Sequence, residues 1–362
     1  MKKIEAAVFD GAHAPELVTA DLVPPGPGEV RVKLVATGIC HTDVKGSKSG
    51  GLVPHPVVLG HEGAGHVDAV GDAVTTHRPG DPVVLSFASC GVCATCSMDQ
   101  PAYCHHSAEL NFSCDQTDTI RVDGMTVHSS FFGQSSFATY ANVEARHVVR
   151  VRHDAPLATI APIACGVQTG AGAILNVLKP QIGSSLVVFG VGSVGLSAVM
   201  AASLTPATKI VAVDTSPSRL ELACNLGATH ALEAGEDLTD ELTKILGAGA
   251  DLVLDTTGVP DVIRTGLLAL APLGVLGYVT SPWGGQDIPI PGRHMLWGRK
   301  MVGIIQGSSS PHSFIPALID LVMAGRFDLG ALITEYPFSE ISQAFADMQS
   351  GKVIKPVLRF DI

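Results

Sequence analysis

The sequence predicts an α/β protein of two unlike parts. A glycine-rich β domain comes first, and from about Pro162 strands alternate with helices as in a parallel-sheet domain. Two observations carry this. In the first ~150 residues the β-branched runs Val30–Val35, Val57–Leu59 and Pro82–Leu85 lie between Gly/Pro turns such as Pro24–Gly28. Between Pro162 and Ile305 the strand-like runs Ser185–Phe189, Lys209–Val213, Asp251–Leu254 and Gly274–Val279 alternate with helical stretches. Two of these are Val194–Ser203 and Arg219–Leu226, the second stopped by Gly227. Parallel neighbours need such crossovers. The tail adds a helix, Phe314–Met323, and a strand, Pro356–Phe360.

At 362 residues the chain suggests two domains, each able to bury a core. With 46 % hydrophobic and 16 % charged residues it reads as globular rather than disordered. No apolar run reaches the ~18 residues of a membrane span, and the start, MKKIEAAVFDG, lacks the apolar region of a signal peptide. A cytoplasmic protein with no membrane partner is the expectation. A net charge of −11 argues against a nucleic-acid partner held through a basic surface.

Four of the eight cysteines, Cys90, Cys93, Cys96 and Cys104, fall within fifteen residues. Four thiolates at this spacing can close a tetrahedron around zinc and leave no open position, which makes such a site structural. An iron–sulfur cluster would use a similar start, but ferredoxin runs continue C-x3-C-P, and here the fourth cysteine comes eight positions on. Cys114 and Cys224 suggest no role.

Gly190-Val191-Gly192-Ser193-Val194-Gly195 is G-x-G-x-x-G between a strand and a helix, and Asp214 ends the next strand 19 residues after Gly195. This is the dinucleotide fingerprint of a Rossmann, doubly wound sheet. Gly190 makes the turn, Gly192 admits the pyrophosphate, Gly195 permits close packing, and the helix N-terminus at Ser193 and Val194 faces the phosphates. A carboxylate at Asp214 accepts from ribose hydroxyls and repels a 2′-phosphate, so NAD is expected rather than NADP.

Two more cysteines, Cys40 and Cys165, flank Gly60-His61-Glu62-Gly63. Cys/His/Cys can bind a catalytic zinc with one position open. Alone, each is more simply a buried apolar thiol or a core imidazole. The polar run His41-Thr42-Asp43 after Cys40, and the place of Cys165 where the fold character changes, raise the metal reading. His61-Glu62-x3-His66 is not a metalloprotease helix: the second His is at i+5 among glycines, and His66 is expected on a strand.

In this order, Cys40-His41-Thr42-Asp43, Gly60-His61-Glu62, the four-cysteine run, Cys165 and the GVGSVG loop resemble the zinc-containing medium-chain alcohol dehydrogenases over nearly the whole chain. The resemblance implies a GroES-like catalytic domain in two segments, 1–166 and 306–362, around a Rossmann domain, 167–305. It implies two zinc ions per subunit, one at Cys40, His61 and Cys165 and one at the four-cysteine run. Thr42 takes the alcohol proton, with Asp43 and Glu62 behind the ligands and Glu62 visiting the metal. His41 contacts the cofactor pyrophosphate, Arg219 lies near the adenosine, Lys355 lies near the pyrophosphate, and Thr169 and Val279 hold the nicotinamide. Many members carry a relay histidine three residues after the hydroxyl; this chain has Lys45 there.

Within the family, Gln100–Cys104, Leu110–Phe112, Phe131–Phe137 and Cys165–Gly172 are similar to benzyl or aryl alcohol dehydrogenases. A substrate pocket of Ser86, Phe87, Leu110 and Ile305 is implied, suited to an aryl, allylic or bulky primary alcohol. The phenylalanines of the Phe131–Phe137 run read equally well as plain core. A polyol or formaldehyde dehydrogenase, or a non-catalytic zinc and nucleotide protein, are the alternative readings. The family implies a homodimer or homotetramer.

Overall fold

The computed structural model describes residues 1–114, 119–282 and 285–360. They form two compact units. The first comprises Met1–Cys165, Ser310–Gly325 and Leu329–Ile362; the second comprises Gly166–Ser309 with Arg326–Asp328.

In the first unit, one sheet runs Val148–Arg150, Pro82–Leu85, Gly63–Val70, Glu29–Gly38, Lys355–Arg359, Ile333–Pro337, with Tyr140–Glu144 also paired to Glu29–Gly38. Strand Glu29–Gly38 alternates half-buried and buried residues over most of its length, the signature of a strand packed on one face. The C-terminal strand pairs antiparallel with its end, Val357 opposite Gly38, so a late segment completes an early sheet. A second, antiparallel sheet runs Val57–Val58, Lys2–Phe9, Glu16–Leu22, Ile120–Val122, Met125–Val127. Phe9, Phe137 and Phe345 meet at ring centroid distances of 5.5–6.1 Å, joining the two parts of the chain in one core.

The second unit is a parallel sheet in the order His230–Glu233, Lys209–Asp214, Ser185–Phe189, Ala250–Asp255, Leu270–Tyr278, Lys300–Gly303. Strand Ser185–Phe189 is buried at every position, as expected for a strand covered on both faces. The predicted elements are present with ends shifted by a few residues, the largest extension being that of Leu270–Tyr278, read from sequence as starting at Gly274. Gln306–Ser309 stays with this unit. Ser309 Oγ donates to Gln168 Oε1 at 2.9 Å and Asn176 Nδ2 to the Gly307 carbonyl at 3.0 Å. The chain therefore re-enters the first unit at Ser310, beyond the expected 306. Among the described residues no single helix is long and apolar enough to cross a membrane.

Candidate active site and metal centres

Strand Glu29–Gly38 delivers Cys40 to the N-cap of a short helix, His41–Gly46. Asp43, fully buried in its first turn, accepts hydrogen bonds from the Cys40 N–H at 2.8 Å and the Gly60 N–H at 3.1 Å. Its Oδ1 also lies 3.1 Å from His61 Nδ1, which fixes the ring's rotation and leaves Nε2 facing Cys165 Sγ, 3.2 Å away. The ligand atoms of Cys40, His61, Glu62 and Cys165 all lie within 4.8 Å of one another. Thr42, half-buried, sets Oγ1 3.6 Å from Cys40 Sγ. The structure thus brings together residues more than a hundred positions apart.

The electrostatics suit a cation. A hydrogen bond from the Cys165 thiol holds Cys40 well below the usual thiol range against the effect of burial, with His61 and Lys355 assisting. The same bond, with burial, pushes Cys165 up. Burial opposes a charged His61, but Asp43 and Cys40 together outweigh it and lift the imidazole to about 10. Burial raises Glu62 to about 6 although Lys355 opposes it. Two thiols and an imidazole that give up protons to a metal fit zinc, with room for a fourth ligand.

Lys355, which the family resemblance implies near the cofactor pyrophosphate, is 1 % exposed. Its Nζ lies 2.9 and 3.0 Å from the Glu62 carboxylate oxygens and donates to the Ile39 carbonyl at 3.0 Å. The pairing of strand Lys355–Arg359 with Glu29–Gly38 puts it there. Gln134, which sequence reading did not single out, is also buried: it accepts from the Gly63 N–H and donates to the His61 carbonyl, both at 3.1 Å. An amide inside the run Phe131–Phe137 was the available signal, since a buried carboxamide needs partners.

The four-cysteine run forms a second cluster, its Sγ atoms within 4.8 Å of one another. Cys90 to Cys96 is 3.9 Å and Cys93 to Cys104 4.0 Å. These separations are far longer than a disulfide and close to the edge, about 3.8 Å, of a tetrahedron with metal–sulfur bonds of about 2.3 Å. The Thr95 hydroxyl and the amides of His105 and Cys96 hold Cys93 down at about 5, while burial pushes Cys96 up to about 12.

In the second unit the glycine loop has the expected form. Gly190 has φ +80°, and a Cβ on Gly195 would collide with the Gly190 carbonyl. Helix Ser193–Ser203 starts at Gly192. Asp214 accepts from the Val191 N–H at 2.7 Å and the Ser216 N–H at 2.9 Å, which ties the loop to the next strand. Val194 is on the first turn of that helix, Arg219 is half-buried on helix Pro217–Asn225, Thr169 is buried on helix Gly166–Gly172, and the Val279 N–H donates to the Asp255 carbonyl at 3.2 Å.

Of the implied substrate pocket, Ser86 and Phe87 are buried beside strand Pro82–Leu85, and Ile305 is 51 % exposed in the second unit. Leu110 lines a cavity of about 270 Å³ with Ala88, Ser89, Cys90, Gly133 and His147, among other residues of the first unit. His41 is exposed on the first turn of its helix and His66 is exposed on strand Gly63–Val70.

Residues 26–153 match the alcohol dehydrogenase GroES-like domain, and residues 193–324 match the zinc-binding dehydrogenase family. The chain is 42 % identical over 341 residues to a geraniol dehydrogenase of Castellaniella defragrans, covering 92 % of this chain and 91 % of that protein. The structure of an alcohol dehydrogenase zinc-binding domain protein from Burkholderia ambifaria superposes with a TM-score of 0.97 at 43 % identity. That of benzyl alcohol dehydrogenase from Acinetobacter calcoaceticus gives 0.96 at 40 %, and both matches cover 100 % of each chain. With this fold and this Cys/His/Cys cluster, the chain belongs to the zinc-containing medium-chain alcohol dehydrogenases, NAD-dependent oxidoreductases that interconvert an alcohol and its carbonyl compound.

Proposed function

We propose that this enzyme oxidises an aryl, allylic or bulky primary alcohol with NAD, using zinc held by Cys40, His61 and Cys165, and carries a second, structural zinc at Cys90, Cys93, Cys96 and Cys104. The observation that carries the reading is the convergence of Cys40, His61 and Cys165 with the Thr42 hydroxyl beside them. Once bound, zinc supplies the Lewis acidity that acidifies an alcohol hydroxyl and NAD supplies the hydride acceptor. Thr42 takes the alcohol proton. Asp43 holds His61 in one tautomer through Nδ1 and so keeps Nε2 free as a ligand. Lys355 neutralises Glu62, so that a buried carboxylate does not stand unpaired beside two thiolates. Thiols grouped as metal ligands fit a reducing compartment such as the cytoplasm.

The substrate class is supported by chemistry shared between the relatives. Geraniol and benzyl alcohol both carry a primary alcohol on a carbon next to an sp² carbon; the family resemblance implies Ser86 and Phe87 in the pocket, and the rings of Phe131 and Phe132 pack on His61. NADH formation with a panel of alcohols tests this. Benzyl and allylic alcohols are expected to show kcat/KM at least about tenfold above ethanol, the discrimination that one apolar group provides. Ethanol preference would overturn the substrate class. Full turnover by metal-free enzyme, or a metal content below two per chain, would overturn the zinc assignment.

Asp214 is proposed to bind the adenosine ribose. Asp214→Ala is expected to weaken NAD binding about 10–100-fold, the worth of about 1.5–3 kcal/mol for hydrogen bonds to a charged group, and to narrow the preference over NADP. Equal NAD affinity in the variant, read by NADH fluorescence titration, would remove that role.

A further inference from the structure

Phe132 stands out among the residues around His61. Its ring stacks on the imidazole at a centroid distance of 4.4 Å and 23° between planes. Phe131 meets the same imidazole edge-on at 5.4 Å, and Phe112 abuts Phe132 edge-on at 5.2 Å. The backbone at Phe132 is left-handed, with φ +52° and ψ +31°, a conformation that a side chain of this bulk rarely adopts. Glycine would sit there without strain, yet the glycine is at the next position, 133. Such strain persists only where the surroundings over-determine it. Here they do: Ser135 Oγ accepts from the Phe131 N–H at 2.9 Å and donates to the Val58 carbonyl at 2.6 Å. Gln134 bonds the backbone of His61 and Gly63.

The Asp43 bond holds one edge of the ring at Nδ1, while contacts on the ring faces limit how far its plane rocks about the Cβ–Cγ bond. We propose that Phe132 is a positioning residue that sets the plane of His61, and hence the direction from which Nε2 meets a bound metal. This rests on the reading of Cys40, His61 and Cys165 as zinc ligands.

The test uses the full-length, zinc-loaded enzyme and its Phe132→Leu and Phe132→Tyr variants. Metal release to a chromogenic chelator is followed in two phases, and the phase that a Cys165→Ser variant lacks is assigned to this site. The four-cysteine phase is the internal reference. Phe132→Leu is expected to speed release from the His61 site about tenfold, the scale of lost ligand support, and to shift the visible bands of the cobalt-substituted site. The reference phase and the urea midpoint should stay as in wild type, and Phe132→Tyr should restore slow release. Unchanged release in the leucine variant overturns the proposal. So does equal acceleration of both phases with a lowered urea midpoint, which is loss of packing, or a tyrosine variant as leaky as leucine. A wild type that holds metal only at the four cysteines overturns the site assignment beneath it.

Discussion

Asp43→Ala is expected to lower the metal affinity of the Cys40/His61/Cys165 cluster by about 10–100-fold and activity by at least as much at limiting zinc. The carboxylate is fully buried and satisfies three partners at once: the amides of Cys40 and Gly60, and His61 Nδ1. Alanine leaves two buried N–H groups unmet and frees the imidazole to change tautomer. The fold should weaken by about 3 kcal/mol or more, since each unsatisfied buried group costs about 1–3 kcal/mol. Asparagine is no rescue, because its NH₂ would face one of the same N–H donors. Chelator competition for the metal and the urea midpoint for the fold measure the two effects. An alanine variant that binds zinc as the wild type does would remove Asp43 from the site's support.

Lys355→Met is the second large effect. The pair with Glu62 is buried on both sides, with side chains 2 % and 0 % exposed. Removing the ammonium strands a carboxylate already pushed up by burial. Breaking one partner of such a pair costs about 3–5 kcal/mol, whereas replacing both by neutral groups of similar shape is nearly neutral. Lys355→Met should therefore lower the urea midpoint sharply, and adding Glu62→Gln should recover much of the loss. The NADH dissociation constant of Lys355→Met addresses the role that the family resemblance implies at the pyrophosphate. An unchanged constant leaves Lys355 as a partner of Glu62 alone, and a double variant no more stable than the single one would mean that the ion pair is not what Lys355 supplies.

What was legible in the sequence was what is written in short stretches of chain. Cys90 to Cys104 can close on one ion because a loop of fifteen residues brings its own four thiols together. The glycine loop declared itself because its turn, its tight strand–helix contact and its acid lie within one β-α-β stretch. The Cys40, His61, Cys165 set was legible only jointly, through the order of several motifs, since spacing alone says nothing about residues 104 positions apart. Phe132 was visible as part of an aromatic run that read equally well as core. Its left-handed backbone and its stack on His61 belong to geometry that no periodicity encodes.

The sequence by itself determined the α/β class, the alternation that builds the parallel sheet, the four-cysteine cluster and the acid at Asp214. These rest on local propensity and on donors held close by the chain itself. Tertiary structure decided where Lys355 goes: its position 293 residues from Glu62 became a contact because the last strand pairs with the end of Glu29–Gly38 and closes the sheet. It also decided that Gln134 braces His61 and that Gln306–Ser309 stays with the second unit. Buried polar groups take the partners that folding brings within reach, and those partners are chosen by strand pairing rather than by distance along the chain.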